Sequence, residues 1–169
     1  MKKLLLLLVA LVSALQASAQ NVESMQNQSA TVSIDSLSLR LNKLQHDYDF
    51  MYCDYELHKL LMDFKDLSNS INSLSNGAVT DYYNTKYERA LYESYLNNYE
   101  ACSFSLNTLK DKYEVIRLMV LTKMASSNFT DEEQKVINSY FGTIQTAVTA
   151  AENSLNYYDA TIQVYKSKR

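Results

Sequence analysis

The side chains best suited to chemistry in this 169-residue chain are two cysteines, Cys53 and Cys102, and two histidines, His46 and His58. Two thiols can form a disulfide, and imidazoles can bind a metal or transfer a proton. The cysteines lack the Cys-x-x-Cys spacing of a redox site. The histidines are 12 residues apart, about 120° around one helix, and neither follows a glutamate by three residues. We therefore predict neither a metal site nor a redox site.

Other catalytic signatures are also absent from the sequence. There is no glycine-rich phosphate loop and no nucleophile beside a plausible base. The net charge of −3 argues against nucleic-acid binding, which requires clustered lysine and arginine. We therefore expect a protein that is not an enzyme, uses no cofactor and does not bind nucleic acid.

Residues 1–19 have the pattern of a cleavable signal peptide. Two lysines precede a short apolar run that ends in Ala17, Ser18 and Ala19. Cleavage after Ala19 predicts export to the periplasm or the exterior of a bacterium, with no membrane-spanning segment left. It also leaves 14 of the 16 basic residues against 19 acidic ones, a net charge of −5. Residues 20–32 have few apolar residues and no periodicity, so we predict a disordered leader.

The remaining chain, residues 33–169, predicts one all-α domain. It has no proline and only two glycines, so few positions can break a helix. Start and stop signals predict helices at about 33–76, 81–125 and 131–166, with Ser33, Thr80 and Thr130 as N-caps. Thr130 and Glu133 have the spacing of a capping box. Short connections between long helices predict an elongated, coiled-coil-like antiparallel three-helix bundle with up-down-up order.

The first turn sets the register of the cysteines. If Gly77 ends the first helix in a left-handed conformation, Cys53 and Cys102 lie about 24 residues on either side of the turn. Both also lie on apolar helix faces that should meet. We therefore predict an intramolecular disulfide between them in an oxidising compartment. Two buried free thiols and an intermolecular bond are the alternatives.

The first helix carries a second apolar stripe, nearly opposite Cys53. A helix in a three-helix bundle buries one arc, so a second stripe needs another explanation. The helix either changes its core-facing side along its length, or it uses the stripe to meet another chain. We select the stripe as the candidate interaction surface: Leu37, Leu41, Leu44, Tyr48, Met51, Tyr55 and Met62.

Two further segments suggest surfaces. Residues 116–124, IRLMVLTKM, are apolar almost all round, which is typical of a helix buried on every side. Residues 81–99 contain six of the 14 tyrosines. Tyrosine suits both half-buried bundle positions, which we favour, and interfaces or sugar stacking. A glycan or a client peptide is therefore a possible ligand of this helix face.

Two resemblances bear on function. In length, signal peptide and long hairpin the chain is similar in outline to periplasmic jellyfish-type chaperones of outer-membrane proteins, although those are basic and contain strands. Asp35, Ser36 and Leu37 resemble the acceptor tripeptide of a bacterial O-glycosylation system.

The leading hypothesis from the sequence is an exported structural, adaptor or self-assembling component of the bacterial envelope, with a protein partner or a homo-oligomer. The alternative is a periplasmic or secreted binding or chaperone-like module that uses the tyrosine-rich face.

Overall fold

The structure is a computed structural model that describes the backbone of residues 27–169 and the side chains of residues 34–169. The described part consists of three helices, with no strand: α1 Asn27–Asn84, α2 Arg89–Ser126 and α3 Asp131–Lys166. This confirms the all-α class. The predicted signal peptide and residues 20–26 of the predicted leader lie outside the described residues. The chain divides into two units, Met1–Leu44 and Gln45–Arg169, and α1 contributes to both.

Helix α1 is longer than predicted at both ends. It begins at Asn27 and continues through Gly77 to Asn84. Gly77 does not have a positive φ angle, so the prediction that it ends the helix in a left-handed conformation is wrong. A glycine inside a helix costs only about 1 kcal/mol relative to alanine. Burial of Ser75 and Ala78 on either side of it favours the helix that continues past this point.

Both glycines offer a stability test. Gly77 and Gly142 lie on exposed helical positions, and a Cβ atom added at either would meet no atom within 4 Å. Neither glycine is therefore required by the close approach of a neighbouring helix. We expect Gly77→Ala and Gly142→Ala each to raise the free energy of unfolding by up to about 1 kcal/mol. Urea denaturation measures this change, and a loss of stability in either variant would contradict it.

Helix α2 begins eight residues later than predicted and ends close to the predicted position. Thr80 is not its N-cap, because the Thr80 hydroxyl donates to the Asn76 carbonyl (2.8 Å) within α1. At the other end the Ser127 N–H donates to the Lys123 carbonyl, and Asn128 follows with φ of 49°. Asparagine tolerates this left-handed conformation. The left-handed residue that was predicted at the first turn, Gly77, is not found there. A left-handed residue occurs at the second turn instead, and it is Asn128.

Helix α3 agrees with the prediction at both ends. The Thr130 side chain accepts a hydrogen bond from the Glu133 N–H, and the Glu133 carboxylate accepts one from the Thr130 N–H. Three acidic residues occupy the first turn and Lys166 the last turn, where they complement the helix dipole. The predicted capping box is confirmed.

Each helix of the second unit, Gln45–Arg169, buries one line of side chains in a common core. From α1 the buried side chains include Cys53, Leu57, Leu60, Phe64 and Ile71; from α2, Tyr95, Cys102, Leu106, Tyr113, Ile116 and Val120; from α3, Ile137, Ile144, Val148, Ala151, Leu155, Tyr158, Ile162 and Tyr165. The apolar faces that carry Cys53 and Cys102 were predicted to meet, and they are buried together with a seam of α3.

Two hydroxyl pairs show that α1 and α3 are parallel. Ser68 Oγ lies 3.1 Å from Ser154 Oγ, and Ser75 Oγ lies 3.3 Å from Thr161 Oγ1. Both pairs have the same sequence separation of 86 residues, so the two helices stay in step over two turns.

Ion pairs show that α1 and α2 are antiparallel. Lys112 Nζ lies 2.9 Å from Asp63 Oδ2, and Lys123 forms an ion pair with Asp49. As the α2 residue number rises, the α1 partner number falls. Within the second unit the helices therefore run up, down and up, as predicted, and the first turn is centred at about residue 87.

Candidate interaction surface

The predicted interaction surface on α1 is exposed to solvent. It consists of seven residues, called the α1 outer face below: Leu37, Leu41, Leu44, Tyr48, Met51, Tyr55 and Met62. Their exposure ranges from 38% at Leu37 to 69% at Met51. The first three lie in Met1–Leu44, and the last four lie in Gln45–Arg169.

Within the second unit, the α1 outer face points away from the core. At about 100° per residue, Met51 lies about 160° and Tyr55 about 200° around the helix from buried Cys53. The core-facing line continues to the start of this unit, where Asp49 is buried and Phe50 packs against the core. The helix does not change its core-facing side here, so that explanation of the second apolar stripe is wrong for the second unit.

The segment 116–124 is only partly buried. Ile116 and Val120 are in the core, whereas Leu118 and Leu121 on the same helix are exposed. Within this chain the segment is therefore not buried on every side, because α2 has neighbouring helices on one side only, and the exposed residues leave the predicted partner-binding role of this end of the bundle as a prediction. The outer side of α2 adds a smaller set of exposed apolar residues, which also includes Phe104 and Val115.

The two cysteines are buried but not joined. Both thiols are free. Because the first turn is centred at about residue 87, Cys53 is level with Val120, and Cys102 is level with Ile71. The two cysteines are therefore offset along the bundle by about 27 Å at 1.5 Å per residue. A disulfide requires Cα atoms within about 7 Å, so the structure does not support the predicted bond. The correction follows directly from the displaced first turn.

Burial also makes the thiols unreactive. It raises the pKa of the Cys53 thiol to about 11, and it raises the pKa of the Cys102 thiol. Both groups are therefore protonated at neutral pH, and the thiolate is the reactive form. We expect slow reaction with iodoacetamide in the folded protein and modification of both cysteines in denaturant without reductant. Mass spectrometry measures the adducts, and an unmodified denatured chain would instead indicate a disulfide.

The tyrosine-rich segment holds the first turn instead of forming a free face. The Tyr165 hydroxyl, on α3, accepts a hydrogen bond from the Glu88 N–H (3.2 Å) and donates to the Lys86 carbonyl (3.3 Å). Lys168 Nζ donates to the Thr85 carbonyl (2.6 Å). Glu88 is the N-cap of α2, and its side chain makes no capping hydrogen bond. Tyr165 satisfies the backbone N–H of Glu88 itself, one of the N–H groups that the start of a helix leaves without a partner in the helix.

Aromatic contacts extend this cluster around Tyr165. Its ring meets the Tyr95 ring edge-on at 5.2 Å and lies 5.9 Å from the Tyr87 ring. The Tyr95 hydroxyl donates to the Asp81 carboxylate at the end of α1. Burial raises the pKa of Tyr95, and the nearby carboxylate of Asp81 raises it further. These partners are distant in sequence, so helical periodicity did not reveal them. Tyr83 is the exposed tyrosine at this turn.

A buried carboxylate holds the other end of the bundle. Asp49 Oδ2 accepts hydrogen bonds from Ser127 Oγ (2.7 Å) and Gln45 Nε2 (3.0 Å), and its other oxygen binds Lys123. The Lys123 ammonium also lies 5.5 Å from the centre of the Tyr52 ring. This cluster was not predicted from the sequence, although an aspartate on a core-facing line is a signal that could have revealed it. Both carboxylate oxygens have partners, and these contacts link α1 to the end of α2.

Two open grooves lie between α1 and α3 in the second unit. Neither lining contains a histidine, cysteine or carboxylate. One groove, of about 420 Å³, is lined by Leu61, Lys135, Val136, Ser139, Tyr140 and Thr143; the other, of about 230 Å³, is lined by Val79, Tyr82, Tyr83, Tyr157, Ala160, Thr161 and Val164.

Among the described residues, no three histidine, cysteine, aspartate or glutamate side chains are grouped to hold a metal ion. None of the described helices is long and apolar enough to cross a membrane.

Comparison with known proteins finds no match to this chain among family models, curated proteins or solved structures. Among the groups predicted to matter, the α1 outer face is exposed at all seven positions, and its four residues in the second unit take no part in the core of that unit.

Proposed function

We propose that this protein is an exported, non-enzymatic helical-bundle protein that acts through protein contacts, as a structural, adaptor or self-assembling component of a bacterial envelope. The observation that carries the proposal is the α1 outer face, apolar at seven positions and exposed at every one. Exposed apolar side chains that share one helix face are typical of an interaction site, whereas scattered ones are not.

The contacts of the second unit favour this proposal over binding by the tyrosine-rich face. Tyr87, Tyr92 and Tyr95 are engaged with Tyr165 or with each other, and Tyr82 lies under the Lys168 ammonium at 4.7 Å. A ligand at these rings would have to displace contacts that hold the first turn. The α1 outer face can bind a partner without disturbing the core.

A charge placed in the outer face tests the proposal. Met51→Asp introduces a carboxylate at a 69% exposed position, so the bundle should keep its stability while association with a protein partner or a second copy is lost. Phe104→Asp is the matched control, because Phe104 is 75% exposed but lies on α2. Sedimentation of the purified protein measures self-association, and cross-linking in the producing cells detects a protein partner. Identical behaviour of Met51→Asp and the native protein would reject the proposed role of this face.

A further inference from the structure

We propose that α1 forms a parallel, in-register coiled coil with α1 of a second copy of this chain. The inference rests on the proposed function and names the partner of the α1 outer face. In this dimer each residue of the face meets its own counterpart across a twofold axis parallel to the helix.

The spacing of the outer face is that of a coiled-coil seam. In the second unit, Tyr48, Met51, Tyr55, His58 and Met62 follow one another at intervals of three, four, three and four residues. The sequence of the first unit continues the same alternation back through Leu44, Leu41, Leu37 and Ile34. Nine consecutive positions over four heptads, eight of them apolar, are enough to specify a coiled coil.

Within the second unit the seam lies on the side of α1 away from the core, and at one position, His58, its ring meets the Tyr140 ring of α3 edge-on at 6.4 Å. Tyr48, Met51, Tyr55, His58 and Met62 are all exposed, while the bundle buries the opposite side of α1. A second helix can therefore pack along the exposed side of the seam while the core contacts of α1 with α2 and α3 stay in place. The seam differs in this respect from that of α3, where Ile137, Ile144, Val148 and the residues that follow are already buried in the bundle core.

Charges beside the seam select the parallel orientation. The spacing makes Tyr48, Tyr55 and Met62 a positions of the heptad. In a parallel pair, the residue directly before each a position faces the residue that lies five places later in the partner helix. Asp54 then faces Lys59, an attractive pair, and Asp47 faces Tyr52, so no like charges meet.

An antiparallel pair that overlaps the seam from residue 37 to residue 62 has a different charge pattern. It aligns position 62 with position 37, and it places Asp47 opposite Asp54 of the partner on both sides of the axis. Like charges in facing positions destabilise the pair. The antiparallel arrangement is therefore disfavoured, and the partner of matching seam length and charge is a second copy in parallel register.

A cysteine near one end of the seam tests both association and orientation. In the parallel dimer, Met62→Cys places two thiols together, so mild oxidation should convert most of the protein to a covalent dimer that reductant reverses. In the antiparallel arrangement the same thiols are about 38 Å apart along the axis. Phe104→Cys is the control for random collision, because it exposes a thiol on α2 and should remain largely monomeric in denaturing gels.

Sedimentation of the native protein at micromolar concentration completes the experiment. We expect a dimer, and loss of the dimer in Met51→Asp. A native monomer overturns the inference, and so does a dimer in which Met62→Cys cross-links no faster than Phe104→Cys. If the native protein is a monomer but loses a heterologous partner on Met51→Asp substitution, the homodimer is rejected and the proposed function stands.

Discussion

Replacing Asp49 by alanine should lower the free energy of unfolding by about 3 kcal/mol, the largest effect expected from a single polar substitution in this bundle. Asp49 is 4% exposed and binds Lys123, Ser127 and Gln45. Removing the carboxylate leaves a partly buried ammonium, a hydroxyl and an amide without their acceptor. The contacts link α1 to the end of α2, so the loss should be felt by the whole unit.

Asp47→Ala is the matched control for this experiment. Asp47 is two residues away on the same helix, but its side chain is 52% exposed. Its removal should change the free energy of unfolding by less than about 0.5 kcal/mol. Urea denaturation at neutral pH measures both variants. Equal effects of the two substitutions would show that the buried cluster contributes no more than a surface charge.

The Asp49 effect should also depend on pH in a defined direction. Burial by itself raises the pKa of Asp49, but hydrogen bonds from Gln45, Lys123 and Ser127 and the charge of Lys123 outweigh it, so the pKa lies below its ordinary value of 3.8. A carboxyl whose pKa is lower in the folded state stabilises the fold above its unfolded pKa and loses that contribution as the pH falls.

The difference in stability between the native protein and Asp49→Ala should therefore be constant from about pH 5 to neutrality and shrink as the pH falls below about 4. Denaturation curves at pH 7 and pH 3 measure it. A difference that stays the same at both values would mean that the cluster does not depend on the ionised carboxylate.

Replacing Tyr165 by phenylalanine should lower the free energy of unfolding by about 2 kcal/mol. The ring remains in place, and only the hydroxyl that bridges the Glu88 N–H and the Lys86 carbonyl is lost. Tyr165 is fully buried, so water cannot readily replace the hydroxyl. The first turn should therefore loosen locally as well as lose stability.

Hydrogen exchange of the Glu88 amide is the specific measurement for this variant. We expect it to accelerate in Tyr165→Phe more than amides in the middle of α3 do. Tyr83→Phe is the control, because Tyr83 lies near the same turn but is 76% exposed, and its substitution should be nearly neutral. Unchanged exchange at Glu88 would argue against the bridging role of Tyr165.

Helix α3 shows what could be predicted from the sequence. Its start is determined by Thr130 and Glu133, which lie within one turn of each other, and its buried seam follows a regular spacing. Such signals act between residues close in the chain, so they can be read without knowing the fold. The second apolar stripe of α1 was recognised for the same reason.

The first turn could not be placed from the sequence alone. Keeping Gly77 inside a helix costs only about 1 kcal/mol relative to alanine, so this glycine alone does not determine where α1 ends. The chain instead reverses at residues 85–88, where Tyr165 and Lys168, about 80 positions away, bind the backbone. The register of α1 against α2 depends on that turn, so the error moved Cys53 and Cys102 apart and removed the predicted disulfide.

The sequence by itself determined the helical class, the boundaries of α3 and which stripes of each helix are apolar, because these follow from contacts between near neighbours in the chain. Only the tertiary structure decided where the first turn lies, which stripe of α1 is buried and that the thiols are free. Those properties depend on side chains that meet across helices, and several choices of register satisfy the same apolar periodicity. In the second unit, the outer face of α1 is exposed because the bundle buries the opposite stripe, which carries Cys53.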